Sequence, residues 1–538
     1  MSSRPNVPVM LHALKLLRAG RRGEAAEACR ERLEQAPEDI DALQLLGVIA
    51  GMGGDYEAAR QWLTRADTLR PRHPDILDNL ARACRECGDP AAAKACSETA
   101  IAVAPTRAVS WYGLALAERR LGNKPAAMRC YHRVVELDPS HADGWANLAQ
   151  LAESLSLLEE ADEAANRALT LSPDNAVATL TAAQVALRRD DPAGARESLE
   201  ALLAQPALAP NNRAIAHQRL GVALDRLDEP GRAFAEFEAG NRILAQAHHA
   251  AFRMGEGPLS LPAVRRLHDF LRQLEPASWQ PPTPAEGDPA PIFLLGFPRS
   301  GTTLTDRILD AHPALTTLEE RDTLIDLQRD FVLAPDGLER LAALDDAGQR
   351  AYRDAYRRRV ADWIDPLPGV GLIDKLPLHS ISLPLINAVF PDASVVFVVR
   401  DPRDVCLSCF MQSFELNEAM LHFLDLELTA EYYCEVMGLA LCALERLPVR
   451  TLLLKYEDLV QDTEDVCRSL LEFLDVDWDP AVLSWHRTQT GRQIDTPSYR
   501  QVGRPMYRSA IGRWRRYEKE LAPILERLAD FATKLGYD

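Results

Sequence analysis

Through the first half of the chain, small and apolar residues fall at helical spacing, and each stretch is closed by a proline: Pro37, Pro71, Pro105, Pro139 and Pro173 stand 34 residues apart. Twelve positions before each proline is a small residue, Ala25, Ala59, Ala93, Ala127 or Ala161. Twelve before those is another, Ala13, Gly47, Ala81, Ala115 or Ala149. Small residues at these intervals let two helices approach closely, and proline stops the second helix because it has no N–H to donate. The phase continues through Ala183 and Ala195 and, after a short insertion around 206–212, resumes at Gly221 and Ala233. The pattern predicts about seven helical pairs over residues 7–245, none able to bury its apolar face alone, so that stacking is obligatory. Between 246 and 290 it lapses: residues 261–274 keep helical periodicity, but the proline-rich run 276–291 cannot be helical and marks a domain boundary. From Ile292 the texture changes to an apolar run of strand length, a loop with two glycines and a helical stretch over 304–311. Further apolar runs, 394–399 and 452–454, also feed polar loops. Residues 291–538 are therefore expected to form an α/β domain with a parallel sheet, helices on both faces and ligand at the carboxyl ends of the strands.

The period and the small and proline positions, with Trp111 and Trp145 four residues before their small partners, resemble the tetratricopeptide repeat. That resemblance implies a right-handed superhelix whose concave groove holds an extended polypeptide, either an acceptor or a partner protein. An array that only dimerises or stiffens the chain is the alternative. Trp111, Trp145 and Tyr112 read as packing residues, and His132 and His141 as surface or packing residues rather than metal ligands.

Composition narrows the function classes. The 538 residues carry a formal net charge of −18, which argues against a nucleic-acid or anionic-membrane surface because such partners need a basic footprint. No apolar stretch approaches the roughly 18 residues of a membrane span, and the N-terminal run lacks the layout of a secretory signal. A cytoplasmic protein is expected, and its ten cysteines are expected to be free thiols. The pairs Cys84/Cys87 and Cys406/Cys409 have no second ligand pair at zinc-site spacing, so no metal is expected.

The chemistry concentrates in the second half. Gly296 and Gly301 have the spacing of a phosphate loop, in which backbone N–H groups and a helix N-terminus cradle anionic oxygens. Where a nucleoside triphosphatase places lysine, this chain has Thr302, so the clamp for β- and γ-phosphates is missing. Arg299 supplies the charge for a smaller anion.

The run from Gly296 to Pro313 resembles the 5′-phosphosulfate loop of sulfotransferases that use 3′-phosphoadenosine 5′-phosphosulfate (PAPS), and most closely the tyrosylprotein branch and bacterial proteins that fuse tetratricopeptide repeats to it. The resemblance extends over about residues 291–518. It implies that Arg299, Ser300, Gly301, Thr302 and Thr303 hold the phosphosulfate. It also puts the catalytic base at Glu320, the second member of the Glu319-Glu320 pair. Asp374-Lys375-Leu376-Pro377 matches the family's motif, with Lys375 stabilising the bridging oxygen. Arg400 and Ser408 fall on the 3′-phosphate site, Tyr456 on a nucleotide-contacting tyrosine, Ser498 on a serine assisting the transition state, and Arg513 on a basic contact that is lysine in the animal branch. Two positions depart from the tyrosylprotein pattern. Gln412 replaces an arginine, and Asp322 stands where that branch holds its acceptor peptide with arginine, while Arg321 comes one residue earlier.

The expected activity is in-line sulfuryl transfer from PAPS to a hydroxyl, tyrosine of a protein or peptide being the first choice. A glycan or small-molecule acceptor, with the repeats serving as a scaffold, is the second. A nucleotide kinase, or a repeat scaffold carrying an inactive transferase domain, are the rivals from other classes.

Overall fold

The computed structural model describes residues 7–248, 256–275, 279, 290–364, 369–485 and 510–537. The chain divides into two compact units, Met1–Asn212 and Arg213–Asp538.

The first unit is built of helices from α1 (Val7–Arg18) to α12 (Pro192–Leu203), each packed on its neighbours in sequence. The repeat is written into the backbone as well as the side chains. A left-handed residue recurs every 34 positions, at Gly20, Gly54, Gly88, Gly122, Ser156 and Asp190. It reverses the chain inside each pair, a conformation glycine adopts without steric cost. Asp55, Asp89, Asn123 and Asp191 then cap the helix that follows, each accepting an N–H from its first turn. The prolines lie two residues beyond the ends of the second helices, as in the step from Leu137 to Pro139. Trp111 and Trp145 are half-buried against the core, and each indole N–H donates to the carbonyl of the preceding repeat proline, Pro105 at 2.9 Å and Pro139 at 3.0 Å. His141 caps its own helix by accepting from the Gly144 N–H, and His132 lies exposed 2.9 Å from Glu160.

The second unit opens with the seventh pair, α13 (Pro210–Arg226) and α14 (Pro230–Ala247). It keeps the repeat's close contact. A Cβ on Gly221 would lie 2.9 Å from the Phe237 ring, as one on Gly47 would lie 2.5 Å from Leu63. Its left-handed turn residue is Asp228, one period and four residues after Asp190, so the insertion falls between the sixth and seventh pairs. The pair also packs on the α/β fold: Phe234 stacks on Phe410 at 4.9 Å, and the Asn241 amide donates to the Phe410 carbonyl. Helix α15 (Leu261–Gln273) follows. The proline-rich run lies outside the described residues except for its last two members and Trp279, which is buried with its indole N–H on Asn387.

Among the described residues, five strands form a parallel sheet in the order β2-β3-β1-β4-β5: β1 (Ile292–Gly296), β2 (Leu315–Glu319), β3 (Gly371–Lys375), β4 (Ser394–Val399) and β5 (Arg450–Lys455). Strand β4, held between β1 and β5, is buried along its whole length, which is why it reads as a nearly unbroken apolar run. Helices α16 (Thr302–Asp310), α17 (Pro402–Phe410), α18 (Leu426–Arg446) and α19 (Glu518–Leu535) complete the part that bears on the site. Leu294, Ile308, Ile373, Val396 and Leu454 meet in one core that fixes α16 against the sheet. The expectation of a parallel α/β sheet holds. The expected loop after the last strand is instead a helix, Tyr456–Gln461, opened by Tyr456 itself.

Candidate active site

Every strand delivers a charged or aromatic candidate at its carboxyl end. Arg299 lies three residues beyond β1, Glu320 follows β2, Lys375 is the last residue of β3, Arg400 follows β4 and Tyr456 follows β5. In a parallel sheet these ends face one side, and the order places β1 where the chain turns from one half of the sheet to the other, the usual position of a ligand crevice.

The loop after β1 is shaped by its backbone. Arg299 is left-handed (φ +71°), as is Gly301 (φ +112°), which serves as the cap of α16. A Cβ on Gly301 would stand 2.6 Å from the Tyr456 ring, so only glycine lets the loop pass under that tyrosine. Ser300, Thr302 and Thr303 are buried, and the Ser300 hydroxyl has no hydrogen-bond partner among the described residues. An unmet buried hydroxyl beside a helix N-terminus and an arginine is a donor set for an anion.

Glu320 also takes a left-handed backbone (φ +48°), and its N–H donates to the Lys375 carbonyl at 2.7 Å. Strain of this kind in a non-glycine residue persists where surrounding structure holds it. Here the turn carries the side chain back across the strand ends to Lys375. The Lys375 ammonium is fully buried and donates to Glu320 at 2.7 Å and Glu319 at 3.2 Å, while Glu319 also accepts from Arg307 at 2.7 Å. Burial works against the charge of Lys375, but Asp306, Glu320 and Glu319 outweigh it and hold its pKa above the ordinary lysine value. Asp306, on the inward face of α16, is buried with neither carboxylate oxygen hydrogen-bonded among the described residues. Burial pushes it up to about 7 against the pull of Lys375. The arrangement can accept a proton at Glu320 while keeping a fixed cation beside it.

The other side of the crevice centres on Arg400. It donates to the carbonyls of Arg299 (3.2 Å) and Ala510, lies 4.9 Å over the Tyr456 ring, and keeps a buried Nε with no partner among the described residues. Ser408 on α17 accepts from Arg299 Nε at 3.0 Å, so the two expected phosphate sites are joined. Asp404, 3.7 Å from Arg400, accepts from the N–H groups of Gly512 and Trp514, both at 2.7 Å. Arg513 is in the same segment, and its Nη2 lies 2.7 Å from Asp225 of α13. Ser498 lies outside the described residues. Gln412 donates to the Ser413 carbonyl. Arg321 stacks over Trp363 at 3.8 Å, and Asp322 lies 3.5 Å from the buried His379. All ten cysteines are free thiols, as expected.

Sequence reasoning missed Asp306, Arg307, Asp404 and Asp225. Three of them carried a signal. Asp306 and Arg307 are adjacent charges in the middle of the helix after the loop, between Leu304 and Ile308, and Asp404 stands four residues from Arg400, the spacing of neighbours on a helix. Asp225 carried none, since its partners lie far along the chain.

The two halves of the chain resemble different known proteins. Residues 291–480 match the sulfotransferase family, and residues 10–74, 74–107 and 112–176 match tetratricopeptide repeats. An uncharacterized protein of Aquifex aeolicus is 29% identical over 355 residues, 63% of this chain and 44% of that one. Protein-tyrosine sulfotransferase A of Caenorhabditis elegans is 26% identical over 266 residues, 46% of this chain and 67% of the relative. Protein-tyrosine sulfotransferase 1 of Danio rerio is 29% identical over 301 residues, 52% of this chain and 80% of the relative. The chain thus spans less than half the length of the Aquifex protein and somewhat more of the animal ones. With the strand–loop–helix geometry and the repeat period described above, these matches identify the chain as tetratricopeptide repeats joined to a domain of the sulfotransferase family.

Proposed function

We propose that the protein transfers a sulfuryl group from PAPS to a hydroxyl, with a tyrosine of a polypeptide as acceptor. The observation that carries the reading is the convergence of Arg299, Glu320, Lys375, Arg400 and Tyr456 at the carboxyl ends of five parallel strands. The fit to a phosphorylated, sulfated nucleotide rests on the buried Ser300 hydroxyl and Arg400 Nε, both without partners among the described residues. PAPS supplies the sulfuryl group, its sulfur–oxygen bond to the 5′-phosphate breaking as the bond to the acceptor oxygen forms. Glu320 takes the acceptor's proton. As Glu320 loses its charge its hold on Lys375 weakens, and the ammonium turns its attraction to the negative charge gathering on the leaving phosphate. Arg299 and the N-terminus of α16 hold the same charge from the loop side. Arg400 and Ser408 bind the 3′-phosphate, which adenosine diphosphate lacks, and Tyr456 walls the nucleotide. Ser498 and Arg513 take the roles the family resemblance gives them.

A polypeptide acceptor is favoured by the repeats. A repeat array that holds the polypeptide flanking the target hydroxyl converts encounter into a nearly intramolecular event. Calorimetry with 3′-phosphoadenosine 5′-phosphate (PAP) and with ADP tests the nucleotide assignment, and equal affinities refute it. Incubation with PAPS labelled in sulfur and separate tyrosine-peptide and glycan acceptors tests the second half. Label on the glycan alone overturns the tyrosine assignment.

A further inference from the structure

Arg513 reaches the nucleotide site only by family resemblance, yet the fold gives it a specific neighbour. Its Nη2 is 2.7 Å from Asp225, a residue of the seventh helical pair rather than of the α/β fold. The same carboxylate accepts from Arg516 at 3.1 Å and from the Tyr517 hydroxyl at 2.6 Å, and the Asp225 carbonyl accepts a further bond from Arg516 at 3.0 Å. Its side chain is only 14% exposed. One largely buried carboxylate thus gathers three donors from a single stretch of five residues.

That stretch is held from the opposite side by the nucleotide-site residues themselves. Asp404 takes the N–H groups of Gly512 and Trp514, Arg400 donates to the Ala510 carbonyl, and Arg403 stacks over the Trp514 ring at 4.0 Å. Residues 510–517 therefore run as a bracket between Asp404, beside Arg400, and Asp225. A guanidinium carries five N–H donors in a fixed fork, so one nitrogen engaged by Asp225 sets the plane of the others without exhausting them. A long side chain held this way reaches a phosphate without first losing its rotamer freedom, which is the gain from preorganisation.

Resting on the reading of the site as a PAPS site, we infer that Asp225 is a positioning residue for the nucleotide, and that the seventh repeat is a working part of the transferase rather than of the partner-binding array. Asp225 fixes Arg513 directly and, through the backbone of 510–514, the partner carbonyl and carboxylate of Arg400.

The test uses the full chain with Asp225→Ala, Asp225→Glu and, as control, Asp228→Asn, which keeps a residue suited to the left-handed turn; the exposed Asp228 carboxylate touches only Arg516 of this cluster among the described residues. Initial rates give kcat and KM for PAPS and for the acceptor, and calorimetry gives PAP affinity. Asp225→Ala should raise the PAPS KM and weaken PAP binding about tenfold, with kcat and acceptor KM within about twofold of the parent. Asp225→Glu should recover most of the loss, and Asp228→Asn should match the parent. Unchanged PAPS KM in Asp225→Ala overturns the inference. So does a parallel loss of kcat and both KM values with no recovery in Asp225→Glu, which is the mark of a purely structural contact. Tighter PAP binding in Asp225→Ala overturns it too, since Asp225 would then be withholding Arg513. A parent protein that binds no PAP removes the PAPS reading and this inference with it, whereas a parent and an Asp225→Ala variant that bind PAP equally remove the inference alone.

Discussion

Two adjacent glutamates should fail in opposite ways when each is neutralised. Glu319 is tied on both sides, to Arg307 at 2.7 Å and to the fully buried Lys375 at 3.2 Å. In Glu319→Gln the amide oxygen still accepts from one cation, but the NH2 group meets the other as donor against donor, leaving a buried charge short of a partner. Breaking a buried pair costs roughly 3 to 5 kcal/mol when nothing replaces it, so with one bond kept the loss is about 2 to 3 kcal/mol. For a unit of this size that is a Tm fall of roughly 3 to 5 °C. Glu320 is 33% exposed, and in Glu320→Gln the oxygen facing Lys375 remains while Glu319 still neutralises the ammonium. Stability should then change by less than about 1 kcal/mol. Turnover should fall by roughly two to four orders of magnitude, because an amide cannot take the acceptor's proton. Scanning calorimetry, PAP titration and label transfer from PAPS, run on both variants, separate the two roles. If Glu320→Gln unfolds as early as Glu319→Gln, or if it is the Glu319 variant that keeps its fold and loses turnover, the assignment of base and anchor is refuted.

Other consequences are as direct. Arg400→Ala should weaken PAP binding tenfold or more, by about 1.5 to 3 kcal/mol, while ADP affinity barely moves; an equal loss for both nucleotides would show that Arg400 does not read the 3′-phosphate. Asp306 sits at about 7 in the fold against an ordinary 3.8, so between those values the native state keeps a proton that the unfolded chain has released. Stability should therefore fall as pH rises through that window, and Asp306→Asn should gain Tm relative to the parent between pH 5 and 8. Parallel Tm curves would exclude Asp306 as the source. Gly301→Ala puts a methyl 2.6 Å from the Tyr456 ring at a backbone angle alanine resists, so nucleotide binding should drop with a stability loss of about 1 to 3 kcal/mol; calorimetry showing parent-like affinity would contradict the loop geometry.

The helical array and the loop after β1 were legible in the chain because their causes are local. A 34-residue period needs only small residues, a turn and a proline at fixed offsets, and each acts on neighbours a few residues away. β1 and β4 were legible for the same reason, as unbroken apolar runs. β2 and β3 were not: each is five residues long and ends on a charge, Glu319 or Lys375, so periodicity has almost nothing to register.

What the fold alone decided is the set of contacts between residues far apart in sequence. That Glu320 turns back through a left-handed angle to meet Lys375, 55 positions on, follows from the parallel pairing of β2 with β3. That Ser408 holds Arg299, that Asp404 holds the segment around Arg513, and that a repeat aspartate holds Arg513 itself follow from how helices α13 and α17 pack. Spacing along a chain identifies the residue types a reaction needs. The direction a side chain faces, and the charge it faces, depend on burial and on strand order, and both arise only once distant segments have excluded water between them.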